Sequence, residues 1–247
     1  MTEQALRGLV IDWGGVLTAS LDGAMAAWAA RDGVTFAHFE DAMRAWARPA
    51  DQVADQVAVD HAVDHAAVDA AAEGPVAELE ESDAAAASPV HRLERGELAG
   101  ADFEQVLAVE LARRGSPVRA QGLLARMLGG LDALDDDMLG MVRRAHVAGV
   151  RTALLSNSWG NAYPPELWDG LFDTLVISGE VGMRKPEPEI FRHTCALLDL
   201  PPSACVMVDD LPHNIAGAAG VGMVGVLHTA YASTVEELEI LLDLPLR

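Results

Sequence analysis

The polar residues of this chain that could do chemistry stand where apolar runs end. Asp12 sits near the end of GLVIDW and is followed by a glycine pair, Gly14 and Gly15. Ser156 and Asn157 close RTALLSN, Ser178 stands near the end of TLVISG, and Asp209 and Asp210 close CVMVDD. A carboxylate on a tight turn can act as a nucleophile. An adjacent pair of carboxylates can hold a hard divalent cation through oxygen. A serine hydroxyl, with the backbone N–H groups of a helix start, can hold an anionic oxygen. Each group also has a structural use, because strand-end carboxylates and serines cap the helices that follow them.

Lys185, between Arg184 and Pro186, is the single lysine among 17 Lys and Arg residues. Its compact ammonium is not reproduced by arginine, so its survival points to a particular role.

The elements that must position these groups are legible as alternating patterns. Five short apolar runs read as buried parallel strands: residues 8–13, 151–157, 174–179, 205–210 and 222–228. Helical patterns lie between and after them, over 135–149, 186–200, 212–222 and 234–244, the last with a threonine cap. Strand and helix in alternation predict an α/β fold with a doubly wound parallel sheet, Rossmann-like in type. Ligands of such sheets bind beyond the carboxyl ends of the strands. Asp12, Ser156, Asn157, Ser178, Asp209 and Asp210 all fall on that rim.

The first two strands are separated by far more chain than a crossover of roughly 30 residues needs. Residues 19–125 therefore form an insertion, between core segments 1–18 and 126–247. Residues 91–115 read as one amphipathic helix with a glycine stop. Residues 51–88 are a low-complexity Ala/Asp/Val tract, expected to be a loose helix or disordered because small side chains bury too little area to offset ordering. That tract holds His61 and His65 at a spacing that could bind zinc on a helix, although a solvated acidic face explains the pattern equally.

The net charge of −21 argues against nucleic acid and anionic membranes as partners. Cys195 and Cys205 make no CxxC pair and read as buried structural thiols. The opening MTEQALRG is not a signal peptide, and no apolar run reaches a membrane span, so a soluble cytoplasmic protein is expected, monomeric or homodimeric.

Four stretches, DWGGVLT, LLSNS, RKPEP and VMVDDLPHN, resemble the four motifs of the haloacid dehalogenase-like hydrolase superfamily, in order and at the proper strand ends. The resemblance covers residues 8–18 and 126–228, and the insertion resembles that superfamily's helical cap domain. The resemblance implies that Asp12 attacks phosphorus to form an aspartyl-phosphate. It implies that Asp12, Asp210 and the carbonyl of Gly14 hold Mg²⁺, with Asp209 bound directly or through water. It implies that Ser156, Asn157 and Gly15 bind phosphate, and that Lys185 steadies the nucleophile and the phosphoryl charge.

One position departs from the pattern. Most phosphatases of the superfamily have a second aspartate where this chain has Gly14. That aspartate shuttles protons, a service typically worth ~10²–10⁴-fold in rate. The loss weighs least on a sugar 1-phosphate, an acyl phosphate or an aryl phosphate. Asp22, His213 or a residue of the insertion could take over the shuttle.

A Mg²⁺-dependent phosphatase of a small phosphorylated metabolite is the leading reading. The alternatives are a metal-independent 2-haloacid dehalogenase and a regulatory phosphate-binding protein. A phosphonate-cleaving enzyme would need a second lysine, which the chain lacks. Trp159, Tyr163 and Trp168 follow the second motif and could contact an organic moiety or pack on the insertion.

Overall fold

The computed structural model of the chain describes residues 5–46, 88–131, 133–160, 163 and 170–247. Within them the apolar runs form a five-stranded parallel sheet in the order β3-β2-β1-β4-β5. The strands are β1 Gly8–Ile11, β2 Arg151–Ser156, β3 Thr174–Ile177, β4 Cys205–Asp209 and β5 Val224–Leu227. The chain starts in the middle of the sheet, fills one side with β2 and β3, then crosses back to place β4 beside β1. The order therefore reverses between β1 and β4, where a doubly wound sheet opens a crevice. Asp12 and the Asp209–Asp210 pair end the two strands that flank this switch point.

Among the described residues, five helices of the insertion come first in the chain: α1 Leu21–Asp32, α2 Phe36–Trp46, α3 Pro89–Glu94, α4 Gly100–Arg113 and α5 Leu123–Leu128. Those of the core are α6 Asp136–Val147, α7 Ser178–Val181, α8 Pro188–Leu197, α9 Pro212–Gly220 and α10 Tyr231–Leu242. Both faces of the sheet are covered. Leu9 and Ile11 of β1 pack with α6 and α10 through Met138, Val142, Val235 and Leu238. Val10, between them, points the other way, into a cluster with Ile190 and Phe191 of α8 and Ala218 of α9. The period-two alternation of a strand thus serves two layers. The two cysteines are buried in the second cluster.

The inserted helices have a core of their own, built on Trp28, Phe103, Leu107, Leu111, Leu123 and Met127. The chain leaves the core after Thr18 and returns at Leu134, where the two residues form an antiparallel bridge. Helix α5 straddles the boundary expected at 125/126, and its Leu124 and Met127 pack with the insertion, as does Leu131 beyond it.

Three expectations are corrected. Residues 91–115 are not one helix: the pattern breaks between α3 and α4 at Gly96, which has φ +73. A Cβ there would collide with the carbonyl of Gly179 in α7, so the break lets the insertion touch the core backbone to backbone. The last helix starts at Tyr231, and Thr234 lies buried one turn inside it, paired with His228 Nδ1 at 2.9 Å instead of capping. Ser178 opens α7 rather than ending a strand. The tract 51–87, His61, His65 and Trp168 lie outside the described residues. Among the described residues no helix is long and apolar enough to cross a membrane.

Candidate active site

The rim is organised by Lys185, which is 1% exposed. Its Nζ lies 2.7 Å from Asp12 Oδ1 and 2.7 Å from Asp209 Oδ2. Its backbone is clamped to the end of β2: Lys185 N donates to Asn157 Oδ1 at 2.9 Å, and Asn157 Nδ2 donates to the Lys185 carbonyl at 3.0 Å. The Asn157 side chain is thus committed to placing the lysine. Burial opposes the Lys185 charge, but the carboxylates of Asp12 and Asp209 outweigh it and raise its pKa.

Asp209 is fully buried and satisfied on both oxygens. Oδ1 accepts from Leu211 N and Asn214 Nδ2, each at 2.9 Å, and Oδ2 also accepts from Asn214 Nδ2 at 3.1 Å. Asp12 is held up to the lysine from β1, where its own N–H donates to Val208 O at 3.0 Å. Burial pushes the Asp12 pKa upward, Lys185 pulls it back, and Asp209 adds to the rise. Burial and the neighbouring Asp209 raise Asp210 to about 6.

Ligand atoms of Asp12, Asp209 and Asp210 all lie within 4.8 Å of one another. Three carboxylates against one ammonium leave a formal charge of −2, with Asp12 and Asp209 inside the protein. Asn214 Oδ1 is buried beside them and, among the described residues, has no hydrogen-bond partner. Clustered carboxylates, an oxygen left over and uncompensated negative charge fit a hard divalent cation such as Mg²⁺.

The two glycines differ. Gly15 has φ +76, and a Cβ on it would collide with the Asp210 carboxylate. Glycine is favoured there by conformation, and a side chain would displace the Asp210 carboxylate. At Gly14 an ideal Cβ would meet nothing within 4 Å among the described residues, and the residue lines the cavity. Room for a side chain exists at the position where the proton-shuttling aspartate was expected. Ser156 is buried at the end of β2, with its Oγ accepting from Tyr163 OH at 2.9 Å.

Charge, spacing and strand-end position did not reveal Glu94. This residue of α3 is buried; Oε1 accepts from Trp159 Nε1 at 3.0 Å and Oε2 pairs with Arg184 Nε. Its backbone carbonyl accepts from Ser178 Oγ, which in turn accepts from Ser158 N at 2.8 Å. Arg95 pairs with Glu187 nearby at 2.6 Å. These contacts bind α3 to the loops that carry the rim. In sequence Glu94 sits within a run of mixed charge, and only its partners, 65 and 90 residues away, distinguish it. Trp159 also packs on Phe103 of α4, with ring centroids 5.9 Å apart.

Above the cluster lies a cavity of about 550 Å³. Its floor includes Asp12, Gly14, Ser156, Lys185 and Asp210, and its walls come from the inserted helices and from core residues such as Trp159, Arg184, Leu211 and His213. His213 and Asp22 are exposed at its lining.

A parallel sheet with an acid–lysine cluster at its switch point, under a helical insertion, defines an α/β enzyme with a centre suited to a divalent cation. The chain belongs to the haloacid dehalogenase-like hydrolases, whose family model matches residues 6–222. It is 39% identical over 71 residues to the sesquiterpene phosphatase astK of Aspergillus oryzae, a match covering 29% of this chain and 36% of that protein. It is 47% identical over 53 residues to mouse N-acylneuraminate-9-phosphatase, a match covering 21% of each. The chain spans between 10% and 36% of the length of such curated relatives. In fold it is similar to a family enzyme of Bacteroides thetaiotaomicron, solved with magnesium and inorganic phosphate. That likeness has a TM-score of 0.54 and 18% identity, over 92% of this chain and 96% of the other.

Proposed function

We propose that the chain is a Mg²⁺-dependent phosphatase that hydrolyses a small phosphorylated metabolite through an aspartyl-phosphate on Asp12. The observation that carries this reading is the buried contact of Lys185 with Asp12 and Asp209, with Asp210 alongside at the floor of the cavity. The phosphatases among the relatives support it, as does the neighbour crystallised with magnesium and phosphate.

Asp12 would attack phosphorus; the bond to the leaving oxygen breaks and its electron pair departs with that oxygen. Water then attacks the aspartyl-phosphate, releasing inorganic phosphate and Asp12, with its proton passing to solvent. Lys185 offsets the charge of nucleophile and phosphoryl group. Ser156, with the backbone N–H groups of Asn157 and Gly15, binds phosphoryl oxygens. Asp12, Asp210 and the Gly14 carbonyl would hold Mg²⁺, which supplies charge neutralisation for an anionic nucleophile meeting an anionic substrate. Asp209, engaged on both oxygens, acts by placing Lys185. The inserted helices, as far as Leu131, serve as the cap.

A panel of phosphate monoesters with and without Mg²⁺ tests this reading. Turnover that EDTA and Asp12→Asn both abolish is the expected result. Chloride release from 2-haloacids without metal would establish a dehalogenase. Silence on every ester, with phosphate analogues still bound, would mark a binding protein.

A further inference from the structure

We infer that Glu94 is a positioning residue for the proposed reaction: this one carboxylate, borne by the insertion, sets the spacing of the two rim loops that carry Lys185 and the phosphate-binding residues. The inference rests on the phosphatase reading above.

The two loops are the segment after β2, from Ser156 to Trp159, and the turn before α8, from Arg184 to Glu187. They are bridged directly by the Asn157 amide, which meets the backbone N–H and carbonyl of Lys185 at 2.9 and 3.0 Å. Glu94 supplies a second bridge, one oxygen to each loop. Oε1 accepts from Trp159 Nε1 at 3.0 Å, two residues past Asn157. Oε2 pairs with Nε of Arg184, the residue before Lys185. The Glu94 and Arg184 side chains are 9% and 12% exposed, so this pairing is little screened by water. The neighbouring backbone joins in. Ser178 Oγ donates to the Glu94 carbonyl and accepts from Ser158 N at 2.8 Å. Arg95 Nη1 donates to Glu187 Oε1 at 2.6 Å, and Glu187 Oε2 accepts from Arg184 N at 3.1 Å.

A single bridge fixes two loops at a point but lets them pivot about it; a second bridge removes the pivot. The distinction matters because the proposed phosphoryl site is divided between these loops. Lys185 Nζ comes from one, and the Ser156 hydroxyl and Asn157 N–H come from the other. Misplacing such groups by ~1 Å can cost ~10²-fold in rate. Glu94, Trp159 and Arg184 line the cavity, so the second bridge stands in the wall of the site itself. Asp12 and Asp210 are instead carried by β1 and the end of β4, outside this network. Loss of Glu94 should therefore weaken phosphate binding and leave the metal site intact, a split that general destabilisation would not produce.

The test titrates the whole chain by calorimetry, first with Mg²⁺ and then with inorganic phosphate at saturating Mg²⁺. In Glu94→Gln phosphate is expected to bind ~10-fold more weakly, within the ~5–150-fold range usual for coupled sites, with Mg²⁺ affinity unchanged. Trp159→Phe keeps a ring against Phe103 and removes the N–H that Glu94 accepts, so a smaller loss in the same direction is expected. Leu107→Ala opens a cavity inside the insertion's own core, away from the junction, and is expected to leave phosphate affinity unaltered. Coupling is reciprocal, so phosphate with Mg²⁺ should slow hydrogen exchange of the α3 amides in the wild type and lose that effect in Glu94→Gln.

Phosphate affinity unmoved by Glu94→Gln and Trp159→Phe overturns the inference and leaves the phosphatase reading standing. An equal loss in Leu107→Ala, or a parallel loss of Mg²⁺ affinity in Glu94→Gln, reduces Glu94 to a structural contact and overturns it as well. A wild-type chain that neither binds phosphate with Mg²⁺ nor turns over any ester overturns the phosphatase reading and this inference with it.

Discussion

The rim of the sheet and the inserted helices solve opposite problems. At the rim, charged side chains are buried at almost complete cost to their hydration, and nearly every polar atom is matched. Lys185 and Asp209 are 1% and 0% exposed and are held by bonds of 2.7–3.1 Å. The insertion is apolar inside and meets the core through a few polar contacts around Glu94 and a close backbone approach at Gly96. A preorganised rim keeps chemistry constant, whereas a separately packed helical layer can vary its walls without disturbing the carboxylates.

The largest effect expected from breaking this contrast falls on the rim. Asp12→Asn removes the nucleophile of the proposed mechanism and should lower kcat by ~10⁴-fold or more. Circular dichroism should stay native, and mass spectrometry of quenched reactions should show no phosphorylated protein. Lys185→Met strands two buried carboxylates and should cost about 3–5 kcal/mol in chemical denaturation. A loss below about 1 kcal/mol would contradict the burial described above.

On the other side of the contrast, Glu94→Gln leaves Arg184 without its ion-pair partner and weakens the junction of α3 with the core. A loss of about 1.5–3 kcal/mol is expected, with faster limited proteolysis of the inserted helices and KM rising more than kcat falls. Equal cleavage rates in variant and wild type would show that the junction does not hold the layers together. Gly15→Ala strains a left-handed residue and pushes on Asp210, so about 1–3 kcal/mol is expected. Isothermal titration should show weakened Mg²⁺ affinity, and unaltered affinity would refute the contact.

The smallest effect is a pH dependence. The folded pKa of Asp210, about 6, lies above its ordinary value of 3.8. Its contribution to stability without metal is therefore full below about 3.8 and is lost as pH rises through about 6. In the proposed site Mg²⁺ would bind the ionised form, so its stabilisation should be largest above that pH and shrink below it as protons compete. At a hundredfold excess over Kd the metal should add about 2.7 kcal/mol at pH 8. Thermal melts from pH 4.5 to 8 with and without Mg²⁺ would show the trend, and a gain independent of pH would refute it.

Much of the core and its rim was legible in the sequence. GLVI, RTALLS, TLVI, CVMVD and VGVL all became strands, because a short branched apolar run buried on both faces has few other stable outcomes. Asp12, Ser156 and the Asp209–Asp210 pair reached one rim because parallel strands place their carboxyl ends on one side. Gly14 could be recognised as a departure, since the identity of a residue does not depend on folding.

Other features depended on contacts between distant residues. The engagement of both Asp209 oxygens, the clamp of Asn157 on Lys185, the burial of Glu94 and the break at Gly96 each need partners chosen by packing. Glu94 and Arg184 are 90 residues apart, and no local pattern encodes their meeting. The apolar side chains of α1 and α2 were visible as types, but their joining into one wall above Asp12 was not. Periodicity and run length act within a few residues, so they determine elements and what stands at their ends. Which charge is buried against which, and what closes over the site, is settled only when the layers pack.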